Sequence, residues 1–227
     1  MSLDHWSPEA HDRIRVFPGA FHRAVEAIEA CLAAGIFTAI QAVVEPPCLE
    51  DGALERFLEF CRGLGVGDVM LLEPFPVGDR GPARAAGAET RSRLASLQLR
   101  SARDPLLPRV SSMSLLESPE FLGCQAGFTF LHVATGGEVF PCDFAPASFG
   151  SAFEDGLEPI LDRLKLLRGP SRRCLALWLR ERGLAGEGPF PWTRTRSALE
   201  GYDPGEPPGL MRFLARRGRA VSNGVPR

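Results

Sequence analysis

The chain has 227 residues, 44% of them hydrophobic and 24% charged, with a formal net charge of −2. That length buries a core for one large domain or two small ones, with the make-up of an ordinary soluble globular protein. The charge gives no electrostatic case for a nucleic-acid partner, and no apolar run reaches the ~20 residues that span a bilayer.

The amino-terminal Met1-Ser2-Leu3-Asp4-His5-Trp6 lacks the basic region and apolar stretch of a signal peptide, which points to a cytoplasmic protein. Six cysteines at that address favour ligation or plain burial over a disulfide framework. A helix is predicted from about Ala20 to Ala34, with Phe21, Ala24, Val25, Ile28, Cys31 and Leu32 on one face and Gly35 ending it. The β-branched run Ile36 to Val44 reads as a strand, broken by Pro46-Pro47. A second helix, about Asp51 to Arg62, buries Leu54, Phe57, Leu58 and Cys61 and stops at Gly63. The apolar Val69-Met70-Leu71-Leu72, closed by Pro74, is a further strand. Strand, helix and strand at this spacing predict βαβ units on a parallel sheet. Glu73-Pro74-Phe75-Pro76-Val77-Gly78-Asp79 then lies at a carboxyl edge, where α/β folds build sites; it reads equally as a Pro-stiffened connection. A helix from about Ala88 to Ala102 covers the sheet, Asp104-Pro105 marks a boundary, and Arg109 to Met113 adds a short strand.

The stretch from Cys124 to Phe144 carries the chemistry. Phe128, Phe130, His132 and Ala134 alternate with Thr129, Leu131 and Val133, and Thr135-Gly136-Gly137 supplies a tight turn, so a β-hairpin is expected to return Cys142 toward Cys124. Cys174 follows a short helical stretch and could close over the same point. On spacing alone, burial as small hydrophobes and shared metal ligation stay about equally matched. After the hairpin, Leu157, Ile160, Leu161, Leu164 and Leu167 form a core stripe. Beyond about Gly183 the chain turns Gly- and Pro-rich and predicts a loosely packed extension.

Cys124, twelve residues, then Gly137-x-x-x-x-Cys142 resembles the cysteine–glycine–cysteine signature that opens the SPASM and Twitch auxiliary-cluster domains of radical S-adenosylmethionine (SAM) enzymes. Asp143-Phe144-Ala145-Pro146, Phe149-Gly150-Ser151 and the helix from about Gly156 are similar to that family's run from cluster ligand to helix. Upstream, Ser2-Leu3-Asp4, a turn at His11-Asp12-x-x-Arg15, Pro18-Gly19-Ala20-Phe21 and Ala34-Gly35-Ile36 resemble the middle of a radical SAM partial barrel. The family's Cys-x-x-x-Cys-x-x-Cys loop is absent: the cysteines are 31, 48, 61, 124, 142 and 174, and the first three read as structural.

The resemblance implies an α/β fold: a truncated partial (β/α) barrel over residues 1–105, then a small α+β auxiliary-cluster domain built on the hairpin over 106–181, with the extension 182–227 after it. It implies a 4Fe–4S auxiliary cluster on Cys124, Cys142 and Cys174. The fourth position is left open, goes to an oxygen or nitrogen ligand such as Asp143 or His132, or marks a degenerate site. Zinc on the same thiolates is a physical competitor. Ser2, Asp4, Arg15 and Gln41 are the implied SAM-facing groups, their ordinary reading being capping and surface pairing. SAM would bind only if the missing part is supplied, for example by a partner chain carrying the other barrel half. The implied activity is that of a truncated or split oxidoreductase modifying a peptide or small metabolite; the alternative is a metal-free α/β module that binds a peptide or partner enzyme.

Overall fold

Ser7 opens the first helix by accepting a hydrogen bond from the Ala10 N–H (3.4 Å), with Pro8 at the position where a missing N–H costs nothing. The computed structural model describes residues 1–44, 52–75, 88–167, 169–184, 189–206 and 208–212. They fall into two compact units, the first running to Leu115 and the second starting at Leu116.

In the first unit, helix α1 (Pro8–Arg15) contains the His11-Asp12-x-x-Arg15 motif, which is therefore helical and not the expected turn. Asp12 caps the next helix, α2 (Ala20–Ala33), by accepting from the N–H groups of Gly19 (2.5 Å) and Phe21 (2.8 Å). Strand β1 (Ala39–Val43), helix α3 (Ala53–Gly63), strand β2 (Asp68–Leu72), helix α4 (Ala88–Ser101) and strand β3 (Arg109–Ser112) follow. Helix α3 runs through Gly63, and Gly65 takes the left-handed turn (φ 84°): the Gly65 N–H meets Arg62 O and the Val66 N–H meets Cys61 O, a Schellman closure.

The sheet is parallel in the order β1-β2-β3, with Ile40 beside Val69 and Val69 beside Val110. Met1–Leu3 lies along the outer edge of β1, the Leu3 N–H reaching Gln41 O (3.0 Å) and the Gln41 N–H reaching Met1 O (2.7 Å). One face, Ile40, Ala42, Val69, Leu71 and Val110, is shut from water against Ile28, Leu54, Phe57, Leu58, Leu94 and Leu97. On the opposite face Gln41 is exposed and Met70 half-buried, so alternation along each strand sets a helix side and an open side. Edge strand β3 is tied to α4 side chains: the Val110 N–H donates to Ser101 Oγ and the Ser112 N–H to Gln98 Oε1. The strand expected to begin a second region at 106 thus completes the first unit's sheet. The expected strand start at Ile36 is also late, since Ile36 closes the end of α2 through Cys31 O. The Pro46-Pro47 break, Cys48 and most of the 73–79 connection lie outside the described residues.

Helix α5 (Met113–Leu116) leads into the second unit, which holds a two-stranded antiparallel sheet of β4 (His132–Val133) and β5 (Val139–Phe140). Helix α6 (Leu157–Leu164), a 3-10 turn at Lys165–Leu167, α7 (Leu175–Glu181) and α8 (Trp192–Ala198) complete it. The expected loose extension is packed where it is described. Phe190 and Thr195 are buried, the Thr195 hydroxyl donates to Ser148 O (2.7 Å), and the Trp192 and Phe149 rings lie 5.5 Å apart. No helix among the described residues is long and apolar enough to cross a membrane.

Candidate functional site

The hairpin tip forms as the glycines predict, with the Gly137 N–H on Ala134 O and the Ala134 N–H on Glu138 O. Its first arm does not. Residues 127–131 are not paired in a strand; the Phe128 and Thr129 N–H groups turn back onto Gln125 O, leaving the Phe128 and Phe130 side chains exposed. The alternation there is real in sequence, but no partner strand is available to reward it.

Cys124 reaches its neighbours by two other routes. The Gly127 N–H bonds Pro141 O (2.8 Å), which keeps the arm beside Cys142. Cys124 also exchanges both backbone hydrogen bonds with Ser171 (2.7 and 3.0 Å), three residues before Cys174. The approach is close enough that a Cβ on Gly123 would stand 2.5 Å from Ser171 O, which is why glycine occupies that place.

The result brings the three sulfurs within electrostatic reach of one another. The Cys174 thiol hydrogen-bonds Cys124, and the charge of Cys124 acts on both Cys142 and Cys174. Backbone N–H groups aim at each sulfur: Leu175 and Ala126 at Cys124, Phe144 and Ala145 at Cys142, Leu177 at Cys174. Donation from the Cys174 thiol, against the opposing effect of burial, draws Cys124 below the ordinary thiol range. Cys174 moves up because it holds the shared proton, and burial pushes Cys142 up to about 11. Thiolates met by amide donors are the chemistry that metal–sulfur ligation uses. Among the described residues no group of three or more His, Cys, Asp or Glu side chains is arranged so that it could hold a metal ion. Among the described cysteines outside this cluster, Cys61 is buried in the first unit's core and Cys31 is half-buried on α2.

Two further groups feel the charge of Cys124. The Glu117 carboxyl is pushed up to about 7, first by burial and then by the charge of Cys124. The Tyr202 hydroxyl lies 3.0 Å from Ser171 Oγ and 3.1 Å from Arg173 O, and its ring meets Trp178 edge-on at 5.0 Å. Neither has a local sequence signal: Glu117 sits in an aperiodic Leu-Leu-Glu-Ser run, and Tyr202 is notable only as the sole tyrosine. His132 and Asp143 lie 3.6 Å from each other with both side chains well exposed.

The four groups proposed to face SAM are in the first unit, and they divide into pairs. Ser2 lies beside Gln41 at the sheet edge, and Gln41 Nε2 donates to Met70 Sδ (3.6 Å). Asp4 is buried, 2.6 Å from Arg15 Nε, and accepts from the Val43 N–H (3.0 Å); its own N–H donates to His11 Nδ1 (3.1 Å). Burial holds buried His11 below its ordinary range, as suits an acceptor nitrogen. Asp4, His5, Trp6, Leu54 and Phe57 line a crevice of about 10 Å³, room for one water-sized group.

Neither a protein-family model nor a curated protein sequence matches the chain. Among solved structures it is similar in fold to Streptococcus suis SuiB bound to S-adenosylmethionine, with a TM-score of 0.55 and 14% identity over 80% of this chain and 50% of that one. A second SuiB crystal structure aligns with a TM-score of 0.48 and 13% identity over 63% of this chain and 37% of that one. The chain therefore spans half or less of the length of these structures.

Proposed function

We propose that this is a radical SAM-like protein whose second unit is an auxiliary iron–sulfur region of the SPASM/Twitch type, with Cys124, Cys142 and Cys174 as cluster ligands. The observation that carries this reading is that three cysteines from separate segments act on one another electrostatically, each met by amide N–H groups. The fold likeness to a SAM-bound protein supports the same lineage. On this reading the first unit is the sheet of a SAM-binding partial barrel, with Ser2, Asp4, Arg15 and Gln41 as its SAM-facing groups. SAM cleavage needs a Cys-x-x-x-Cys-x-x-Cys loop, which this sequence lacks, so a partner chain carrying that loop would complete the site. The reaction class is oxidative modification of a peptide or small metabolite, with the cluster supplying electron transfer or substrate placement.

Anaerobic incubation with iron(II) and sulfide tests the ligand set. The wild-type chain is expected to turn brown and retain iron and sulfide through gel filtration, and the C124A/C142A/C174A triple variant to retain neither. Iron near zero in the wild type, or equal loading of the variant, sinks the proposal. The second reading, a metal-free module that binds a peptide or partner enzyme, draws on the Asp4–Arg15 ion pair, which already occupies two of the SAM-facing groups. Colourless protein whose unfolding ignores chelators would favour it.

A further inference from the structure

Met1–Leu3 pairs with the outer edge of β1, and the pairing stops at Asp4, where the chain leaves for α1. Asp4 is only 6% exposed, so its backbone N–H needs an acceptor that no strand supplies. His11, 1% exposed and the fourth residue of α1, supplies it: the Asp4 N–H donates to His11 Nδ1 (3.1 Å). The Asp4 carboxylate reaches back to β1 and accepts the Val43 N–H on Oδ1 (3.0 Å). One buried histidine thus fixes the residue that closes this sheet edge.

Nδ1 accepts only while it carries a lone pair, so the ring is neutral with its proton on Nε2. A second proton would set a ring N–H against the Asp4 N–H, donor facing donor. Turning the ring toward Asp4 Oδ2, 3.9 Å from Nδ1, would satisfy the new proton but leave the buried Asp4 N–H without an acceptor. Oδ2 is also engaged already, 2.6 Å from Arg15 Nε. Asp4 and His5 act on the ring from the amino-terminal segment, and Asp12 and Arg15 from its own helix. Helix α2 presents the Phe21 ring, edge-on at 6.0 Å. Burial disfavours the imidazolium most and Arg15 adds to it; Asp4 and Asp12 oppose them, and the balance holds His11 below its ordinary 6.5.

We propose that His11 is a protonation-controlled latch: neutral, it pins Asp4 and the segment before it to β1, and on gaining a proton it lets them go. Ser2 and Asp4 travel with that segment, whereas Gln41 and Arg15 stay on β1 and α1. Release therefore separates both pairs of polar groups, Ser2 from Gln41 and Asp4 from Arg15. The latch lies wholly in the first unit and does not depend on the iron–sulfur reading.

Amide hydrogen exchange on the full chain from about pH 5 to 7.5, corrected for the intrinsic exchange rate, tests it. The released segment takes up its proton at the ordinary 6.5 while the closed form resists, so opening below 6.5 should gain up to about tenfold per pH unit. The Leu3, Asp4 and Val43 amides are expected to lose protection by that factor, with Val69 and Leu71 of β2 keeping theirs. His11→Asn places an amide oxygen where Nδ1 stands and does not titrate, so its protection should stay level across the range. His11→Leu removes the acceptor and should leave the three amides poorly protected at every pH. A level wild-type profile, or one slope shared by wild type and His11→Asn, overturns the latch. Should either variant disturb the β2 amides, the wild-type imidazole signal followed by NMR decides. Loss of protection along the His11 titration supports the latch; a His11 that gains its proton with the three amides still protected overturns it.

Discussion

In the first unit Ile28, Ile40, Leu58, Val69, Leu71 and Leu94 are shut from water around one parallel ladder; in the second, two-residue strands and a chain of single turns surround three sulfurs. Both units bury large side chains, Trp178, Phe149 and Phe190 among them in the second. They differ in how the backbone is satisfied. The ladder repeats, so each strand residue is supported by neighbours on both sides. The Cys124–Ser171 bridge and the Gly127–Pro141 bond stand alone, each fixing one sulfur. A ladder tolerates the loss of one side chain's contacts as a stability cost, whereas an isolated bond sets a position and its loss is felt as geometry.

The largest expected effect tests the first half of that contrast. Leu58 on α3 is 1% exposed within the apolar cluster, so Leu58→Ala is expected to cost about 3 kcal/mol by lost transfer and cavity formation. Hydrogen exchange read peptide by peptide should show faster opening throughout the β1-β2-β3 sheet, with the amides around Cys124 and Ser171 unchanged. Equal loosening of the second unit would mean that the two share one cooperative core.

A smaller effect, on the order of 2 kcal/mol for a charge-assisted hydrogen bond, belongs to the thiol pair in metal-free protein. Folded Cys124 titrates at about 6 and not at the ordinary 9.0, while Cys174 keeps the proton they share. Between those values the folded pair binds one proton and the unfolded chain two, so stability rises with pH. Glu117, held up to about 7 from 4.5, acts in the opposite sense below 7, which leaves about 7 to 9 as the window the thiols control. Above 9.0 the unfolded chain sheds both protons while the folded pair keeps one, and stability declines; Cys142, also raised, adds to the decline. The urea midpoint of the second unit should therefore climb from pH 7 to 9, and Cys124→Ser should flatten it. A flat wild-type curve would mean that the two sulfurs do not share a proton.

The same contrast explains what the sequence made legible. Ile28 and the Leu54, Phe57, Leu58 and Cys61 face follow from helical spacing, and the parallel sheet from strand–helix–strand order, because those signals are local and repeated. Two of the ligand candidates, Cys124 and Cys142, stood out through their spacing about Gly137. The route that joins them did not, since residues 127–131 alternate like a strand yet turn, and the bond from Gly127 to Pro141 has no local signature. Ser171, Glu117 and Tyr202 were illegible for the same reason: each acts through a contact distant in sequence. The helix does stop at Gly63 as expected, but the left-handed residue that closes it is Gly65, a choice between two nearby glycines that the sequence did not reveal.

Tyr202 gives the smallest and most local test. Its hydroxyl meets Ser171 Oγ at 3.0 Å and Arg173 O at 3.1 Å, and Ser171 Oγ also donates toward Pro204 O (3.0 Å), so a segment rich in Gly and Pro clasps the stretch that leads into Cys174. Tyr202→Phe keeps the edge-on contact with Trp178 and removes only the hydroxyl, for an expected loss of about 1 kcal/mol. If the clasp merely stabilised, nothing else would change. If it positions Cys174, oxidation of the metal-free protein by a small-molecule disulfide should form the Cys124–Cys174 bridge more slowly in the variant. In that exchange the Cys124 thiolate displaces one half of the reagent and Cys174 displaces the other, giving two free reagent thiols per bridge. Unchanged crosslinking at reduced stability would assign Tyr202 to packing alone, and would leave the Cys124–Ser171 bridge as what holds those two sulfurs together.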